Sequence, residues 1–234
     1  MFKREKPSYR ETPELSDQEV QLLNGLGGIT NYNRIYVISY LRLIEQAIGS
    51  SVSGRRILDI GCGSTERDYR GRRSTRPPIL PLVLAMRGAK AYGIDPGDQD
   101  SEHLQYIRDH GGEISQHTLQ SFHTLLEQDK NPFRLRNGFD VVVTNDVFGY
   151  NADPSHIPLE GYEHDPTSSE SVDLQSQRNL YMDVCTKVLR PGGIALRDWD
   201  PDKGLFDYPR LLYTSWQKPE EPRRSLIGHI FGGQ

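Results

Sequence analysis

Residues 57–65, Ile-Leu-Asp-Ile-Gly-Cys-Gly-Ser-Thr, constrain the fold of this 234-residue chain more than any other stretch. The run before the glycines shows no sustained alternation, which is typical of a strand buried on both faces of a parallel sheet. Gly61 and Gly63 follow, and because neither has a Cβ atom the backbone can turn sharply and approach a ligand closely. Asp59 is therefore expected near the carboxyl end of a buried strand, where open α/β sheets bind ligands.

The residues after this turn narrow the choice of ligand. A dinucleotide fingerprint needs a third glycine where this chain has Glu66, and an acidic residue there would oppose a pyrophosphate. No Lys-Ser or Lys-Thr pair follows the glycines, so the turn is not a P-loop. The turn suits a ligand with an ammonium group and no phosphate, and the alternative is a chance Gly-x-Gly turn in an unrelated α/β protein.

A second strand is predicted at residues 91–95, Ala-Tyr-Gly-Ile-Asp, and it ends in an acidic residue. A carboxylate at this place in a Rossmann-like site can accept hydrogen bonds from both hydroxyls of a ribose. Asp95 comes 36 positions after Asp59, a long gap that an arginine-rich loop accounts for. The competing interpretation is a turn-forming aspartate before Pro96 and Gly97.

Further strands are predicted downstream. Residues 139–146, Phe-Asp-Val-Val-Val-Thr-Asn-Asp, predict a central parallel strand because β-branched residues suit a strand covered on both faces. Residues 187–193, Lys-Val-Leu-Arg-Pro-Gly-Gly, predict the end of a helix and a turn into a strand at 194–198. The tail predicts strands at 210–216 and 225–231, the second of them antiparallel to its neighbour.

The chain resembles the class I S-adenosylmethionine-dependent methyltransferases in Asp59, Gly61, Gly63 and the 187–193 segment, which occur in the expected order. The resemblance covers most of 55–231. It implies a Rossmann-like three-layer α/β/α sandwich, with a seven-stranded, mostly parallel sheet and an antiparallel last strand. It also implies S-adenosylmethionine as cofactor and methyl transfer as the reaction. Two charged insertions, described below, favour a polar small molecule as the acceptor, methylated on oxygen or nitrogen as in secondary metabolism. The alternatives are an RNA or protein methyltransferase, and a non-catalytic binding subunit of the same fold.

The resemblance places the cofactor at the ends of successive strands. The glycine turn holds its methionine end and the acid after the second strand holds its ribose. The acid that the family usually has near the adenine is missing here, so residues around 118–120 take its place. The cofactor residues implied are Asp59, Gly61, Cys62, Gly63, Asp95, Pro96, Thr118, Leu119 and Asn145.

Two insertions of opposite charge, 64–78 and 151–177, flank the predicted site. The first has five arginines against two acids, and the second has six acids and no lysine or arginine. Arginines bind carboxylate or phosphate, so an acceptor that carries an anion is expected, with plain solvated loops as the alternative. The predicted substrate contacts are Tyr36, Arg70, Arg73 and Tyr150, and the predicted catalytic bases are Asp146, His156 and His164. No metal site is predicted.

The remaining expectations concern organisation and surroundings. Residues 1–50 predict an N-terminal arm and helix that cover the cofactor and substrate side, and 51–234 predict the cofactor-binding domain. A formal net charge of −4 argues against a general nucleic-acid binder without excluding a local basic patch. No apolar run of about 18 residues and no signal peptide is present, so a cytoplasmic protein without membrane association is expected. The expected partner is the small-molecule methyl acceptor.

Overall fold

The computed structural model describes residues 15–25, 31–63, 78–144, 174–197 and 214–219. Twelve helices and strands lie in these ranges. In chain order they are α1 (Asp17–Gly25), α2 (Asn31–Ile48), β1 (Arg56–Ile60), α3 (Ile79–Met86), β2 (Lys90–Ile94), α4 (Ser101–Asp109), β3 (Glu113–Ser115), α5 (Leu119–Glu127), β4 (Phe139–Thr144), α6 (Leu174–Val188), β5 (Leu189–Arg197) and β6 (Thr214–Gln217).

The six described strands form one sheet in the order β3-β2-β1-β4-β5-β6. The pairings from β3 to β5 are all parallel, and β6 runs antiparallel to β5. The chain steps outward from β1 to β3 and then returns to the other side of β1 with β4. This reversal is the topological switch point, beside which open α/β sheets bind ligands.

Both faces of the sheet are covered by helices, which makes three layers. On one face α1, α2 and α3 pack against β1 and β4, and on the other face α5 and α6 do so. Successive residues of β1 enter opposite cores, Ile57 the first and Leu58 the second. That arrangement explains why β1 shows no polar alternation. The predicted Rossmann-like α/β/α fold is confirmed.

The tail departs from the predicted order of strands. The reversal was expected at 225–231, but the structure already places an antiparallel strand beside β5 at Thr214–Gln217, with Trp216 opposite Ala195. Backbone bonds between Lys218 and residues Gly192 and Gly193 of β5 continue this pairing. Residues 225–231 lie outside the described residues.

The N-terminal helix α1 is fastened to α3 by a buried ion pair. Ser16 and Glu19 form a reciprocal capping box, with N···O distances of 2.7 and 3.3 Å. Arg87, at the end of α3, donates from Nε to Glu19 Oε1 at 2.6 Å. Burial works to raise the pKa of Glu19, but the bonds from Arg87 and Ser16 outweigh it and lower that pKa. That residues 1–50 cover the ligand side stays a prediction.

None of the helices within the described ranges combines the length and the apolar character needed to cross a lipid bilayer.

Candidate functional site

The glycine turn follows directly on β1 at the carboxyl edge of the sheet. Gly61 and Gly63 have φ values of +78° and +92°, a backbone conformation that residues with a Cβ rarely adopt. The N–H groups of Gly61 and Cys62 both donate to the carbonyl of Ile94, at 2.8 and 3.2 Å. The turn is therefore held against the end of β2, next to Asp95.

The Asp95 carboxylate joins the two strand ends. Its Oδ2 accepts from Gly63 N–H at 3.0 Å, and its Oδ1 accepts from Gly97 N–H at 2.8 Å. The bond from Gly97 confirms that Asp95 forms the turn, and its role as a ligand acid stays a prediction.

Gln99 holds the other side of the same glycine, and nothing in the sequence pattern pointed to it. Its Nε2 donates to the carbonyl of Gly63 at 2.6 Å. Its Oε1 is buried and finds no hydrogen-bond partner within the described part of the chain. The bond joins residues 36 positions apart, in two loops whose proximity depends on the pairing of β1 with β2.

Cys62 is packed inside the turn rather than presented to a ligand. Its side chain is buried with Leu82, Ile107 and Ile114, and a Cβ atom added at Gly93 would lie 2.6 Å from its Sγ. Burial, and after it the charges of Asp59 and Asp95, raise the pKa of the Cys62 thiol well above its ordinary value. The thiol is therefore protonated at neutral pH, and two carboxylates lie close to the turn.

The third loop of the site follows β3. Gln116 Nε2 donates to Pro96 O at 3.2 Å and to Asp98 Oδ1 at 2.9 Å, which ties this loop to the one after β2. Thr118 caps α5 by accepting from Ser121 N–H at 3.1 Å, and Leu119 is the first residue of that helix. The structure thus aligns the predicted methionine, ribose and adenine positions along one edge of the sheet.

Tyr40 connects α2 to the carboxyl end of β4. Its hydroxyl donates to the carbonyl of Thr144 at 2.9 Å, and both residues are fully buried. Thr144 lies in register with Ile60, directly beside the start of the glycine turn. Tyr36 lies one helical turn before Tyr40 in α2, and its contact with a substrate stays a prediction.

Most of the predicted catalytic and substrate residues fall outside the described residues. Their assignments, and that of one predicted cofactor residue, stay predictions. They are Asn145, Asp146, Tyr150, His156, His164, Arg70 and Arg73.

A group of polar side chains joins α5 to α6 away from the glycine turn. Donor atoms of His123, Glu127 and Asp183 lie within 4.8 Å of one another, a spacing that a metal ion could bridge. Lys187 already places its ammonium 2.6 Å from Glu127 Oε1, and the hydrogen bond to Glu127 raises the pKa of Lys187. These contacts form an ion-pair network that fastens two surface helices.

Comparisons with known proteins find likeness in structure and none in sequence. No family model and no curated protein matches the chain. A crystal structure of magnesium protoporphyrin IX methyltransferase from Synechocystis PCC 6803 with bound S-adenosylhomocysteine is 14% identical, with a TM-score of 0.38, and the match covers 79% of this chain and 66% of that one. The same enzyme with bound S-adenosylmethionine is 14% identical, with a TM-score of 0.34 and coverages of 82% and 80%.

This chain spans just under two thirds of the first of those two structures. At such values the two alignments carry no argument about activity or substrate. The strand order and the reversal beside β1 establish by themselves that the chain has a Rossmann-like fold with an antiparallel strand beside β5.

Proposed function

We propose that this protein binds S-adenosylmethionine at the carboxyl ends of β1 and β2 and transfers its methyl group to a polar small molecule, by O- or N-methylation. The observation that carries the proposal is a glycine turn at the switch point whose second glycine is held by an acidic side chain. Gly63 N–H donates to Asp95 Oδ2 at 3.0 Å.

The electrostatics of the turn favour a cationic ligand over a phosphate. Asp59 and Asp95 both act on the Cys62 thiol through their charge, so two carboxylates lie close to the turn. A pyrophosphate beside these carboxylates would be repelled by them. A ligand with an ammonium group and a sulfonium group would be attracted, because opposite charges within a few ångströms favour each other.

The hydrogen-bonding groups of the site suit the rest of such a ligand. The two glycines leave space for close approach to the backbone, and the Asp95 carboxylate is an acceptor placed beside them for the hydroxyls of a ribose. The buried Oε1 of Gln99 is a further acceptor, and it has no donor among the described residues. The residues present therefore fit a nucleoside with a free vicinal diol and a positively charged tail.

S-Adenosylmethionine, when bound, supplies an electrophilic methyl group on a sulfonium sulfur. The protein's part is to hold the acceptor atom in line with the carbon–sulfur bond and to exclude water, and such positioning can lower the barrier by roughly 7–11 kcal/mol. An oxygen or nitrogen acceptor also loses a proton, for which Asp146, His156 and His164 are the proposed bases. Arg70 and Arg73, with Tyr36 and Tyr150, are the proposed contacts of an anionic acceptor.

Ligand-dependent unfolding tests the cofactor directly. Wild-type protein is heated with S-adenosylmethionine, S-adenosylhomocysteine or NAD, and each adenosyl ligand at 100 times its dissociation constant should stabilise it by about 2.7 kcal/mol. Asp95→Ala should lose this gain, whereas Asp98→Ala should keep it because Asp98 is an exposed acid of the same loop. Stabilisation by NAD alone, or by none of the three ligands, would contradict the proposal.

Transfer itself is followed with a labelled methyl group and a panel of small polar acceptors, RNA and acidic protein. Label in a small molecule supports the proposed acceptor class. Label in RNA or protein would replace it with a macromolecular acceptor. Intact cofactor binding without transfer to any of them would indicate a non-catalytic binding subunit.

A further inference from the structure

Gln99 lies beside the glycine turn and uses only one end of its carboxamide to support that turn. Two side chains hydrogen-bond to the backbone of Gly63. Asp95 accepts from its N–H at 3.0 Å, and Gln99 donates to its carbonyl at 2.6 Å. Both side chains come from the loop that follows β2. This loop therefore sets the orientation of Gly63, and the side chains of Asp95 and Gln99 both lie beside that glycine.

Only one of the two polar ends of the Gln99 carboxamide forms a hydrogen bond with a described residue. Nε2 has a partner, but Oε1 is buried and no described residue donates to it. The assignment of the two atoms is determined by chemistry, since the Gly63 carbonyl can only accept and must face the NH₂ group. A buried acceptor without a donor destabilises the free protein, and a donor on a bound ligand would remove that penalty.

We infer that Gln99 is a ligand-binding residue of this site, whose Oε1 accepts a hydrogen bond from a hydroxyl of the bound nucleoside's vicinal diol. The inference rests on the proposed function, which supplies the nucleoside. Each Asp95 oxygen already accepts one backbone N–H, at 3.0 and 2.8 Å, so a second acceptor on the far side of Gly63 shares the two hydroxyls with it. Gln99 would then select for ribose over a deoxygenated sugar.

The choice of hydroxyl over ammonium follows from charge. An amide oxygen is neutral, whereas the carboxylates of Asp59 and Asp95 lie close enough to the turn to act on Cys62 by their charge. A ligand ammonium gains more from a carboxylate than from an amide, because hydrogen bonds between charged groups are the stronger ones. The neutral Gln99 Oε1 therefore pairs with a neutral hydroxyl of the ligand, and the ligand ammonium pairs with a carboxylate.

The test measures binding by calorimetry in wild type, Gln99→Leu and Gln105→Leu. Gln105 is the matched control, since it is an exposed glutamine of the neighbouring helix that bonds only within α4, to Asp109 at 2.7 Å. The probes are S-adenosylhomocysteine, 5′-methylthioadenosine, which lacks the amino-acid tail, and the 2′,3′-dideoxy form of 5′-methylthioadenosine. Gln99→Leu should weaken the first two equally, by about 5- to 20-fold, and leave the dideoxy probe unchanged. Gln105→Leu should change none of them.

Each other outcome is decisive. Equal affinities in wild type and Gln99→Leu would overturn the assignment of Gln99 and leave the cofactor proposal standing. A loss confined to S-adenosylhomocysteine would overturn the hydroxyl assignment, because only that probe has the ammonium group. No binding of S-adenosylhomocysteine by wild type would overturn both proposals. Should Gln99→Leu unfold, Gln99→Asn keeps the amide but withdraws it by one methylene group, and it should show the same pattern of losses.

Discussion

The two edges of the sheet hold aspartates with different kinds of partner. At the amino edge, Asp140 of β4 accepts from Arg190 Nε at 2.6 Å and from the backbone N–H of Arg56 at 2.8 Å, and it lies 3.6 Å from Arg56 Nε, so arginines from β5 and β1 neutralise it. At the carboxyl edge, Asp95 accepts from the backbone N–H groups of Gly63 and Gly97. The arginines at the amino edge hold three strands together, whereas the bonds of Asp95 hold the loops that follow β1 and β2.

Asp140→Asn removes the ion pairs of Asp140 at the amino edge and should have the largest effect on stability. Removal of the charge leaves Arg190 and Arg56 facing a neutral amide beside the start of three strands. Losing one partner of a buried pair costs about 3–5 kcal/mol, and the partial exposure of both arginines reduces the expected loss here to about 2–3 kcal/mol. Chemical denaturation measures it.

The same Asp140→Asn variant should bind S-adenosylhomocysteine as the wild type does, at a temperature where it is folded. A loss of affinity of tenfold or more would show that the two edges are not separable in function.

Asp95→Asn tests the role of the aspartate at the carboxyl edge. The variant keeps the shape of the side chain but removes the charge and one acceptor. Hydrogen bonds to charged groups contribute about 1.5–3 kcal/mol, so the affinity for S-adenosylhomocysteine should fall by about 10- to 100-fold. Calorimetric titration gives the ratio.

Its stability without ligand should change by less than that of Asp140→Asn, because the loop keeps its bonds from Gln99 and Gln116. A stability loss as large as that of Asp140→Asn would mean that Asp95 is mainly a structural residue.

The lowered pKa of Glu19 predicts that the stability gained from packing α1 against α3 depends on pH. Its pKa is lower in the folded than in the unfolded protein, so its stabilising effect is present above its ordinary pKa of 4.5 and is lost as the pH falls through the folded value. Glu19→Gln should cost about 1–2 kcal/mol at pH 7. Denaturation at several pH values should show that this cost shrinks below about pH 4.5. A cost that stays constant with pH would assign the effect to packing instead.

Lys187 should contribute least. It lies on the surface, and its contact with Glu127 competes with water and salt. Lys187→Met should leave the melting temperature unchanged at moderate ionic strength. A clear drop that salt does not reduce would show that the α5–α6 network is stronger than a surface ion pair.

Local sequence was sufficient to predict much of the carboxyl edge. The glycine turn lies at the end of a buried strand, Asp95 ends the next strand, and the valine run forms β4. These predictions succeeded because each depends on neighbouring residues: strand character follows from β-branched runs, and positive φ values follow from glycine. The mostly parallel sheet with an antiparallel strand followed from the resemblance, whereas the order of its strands was not predicted.

Tertiary structure alone decided which side chains meet. The bonds from Gln99 to Gly63 and from Tyr40 to Thr144 join residues 36 and 104 positions apart, and no local pattern distinguishes these two residues from other glutamines and tyrosines. The antiparallel placement of β6 beside β5 was decided in the same way. Such contacts form only after the sheet and its helices have packed, because hydrogen bonds need distances and angles that separate chain segments acquire together. The sequence by itself determined where a ligand edge would form, and packing determined which polar atoms that edge presents.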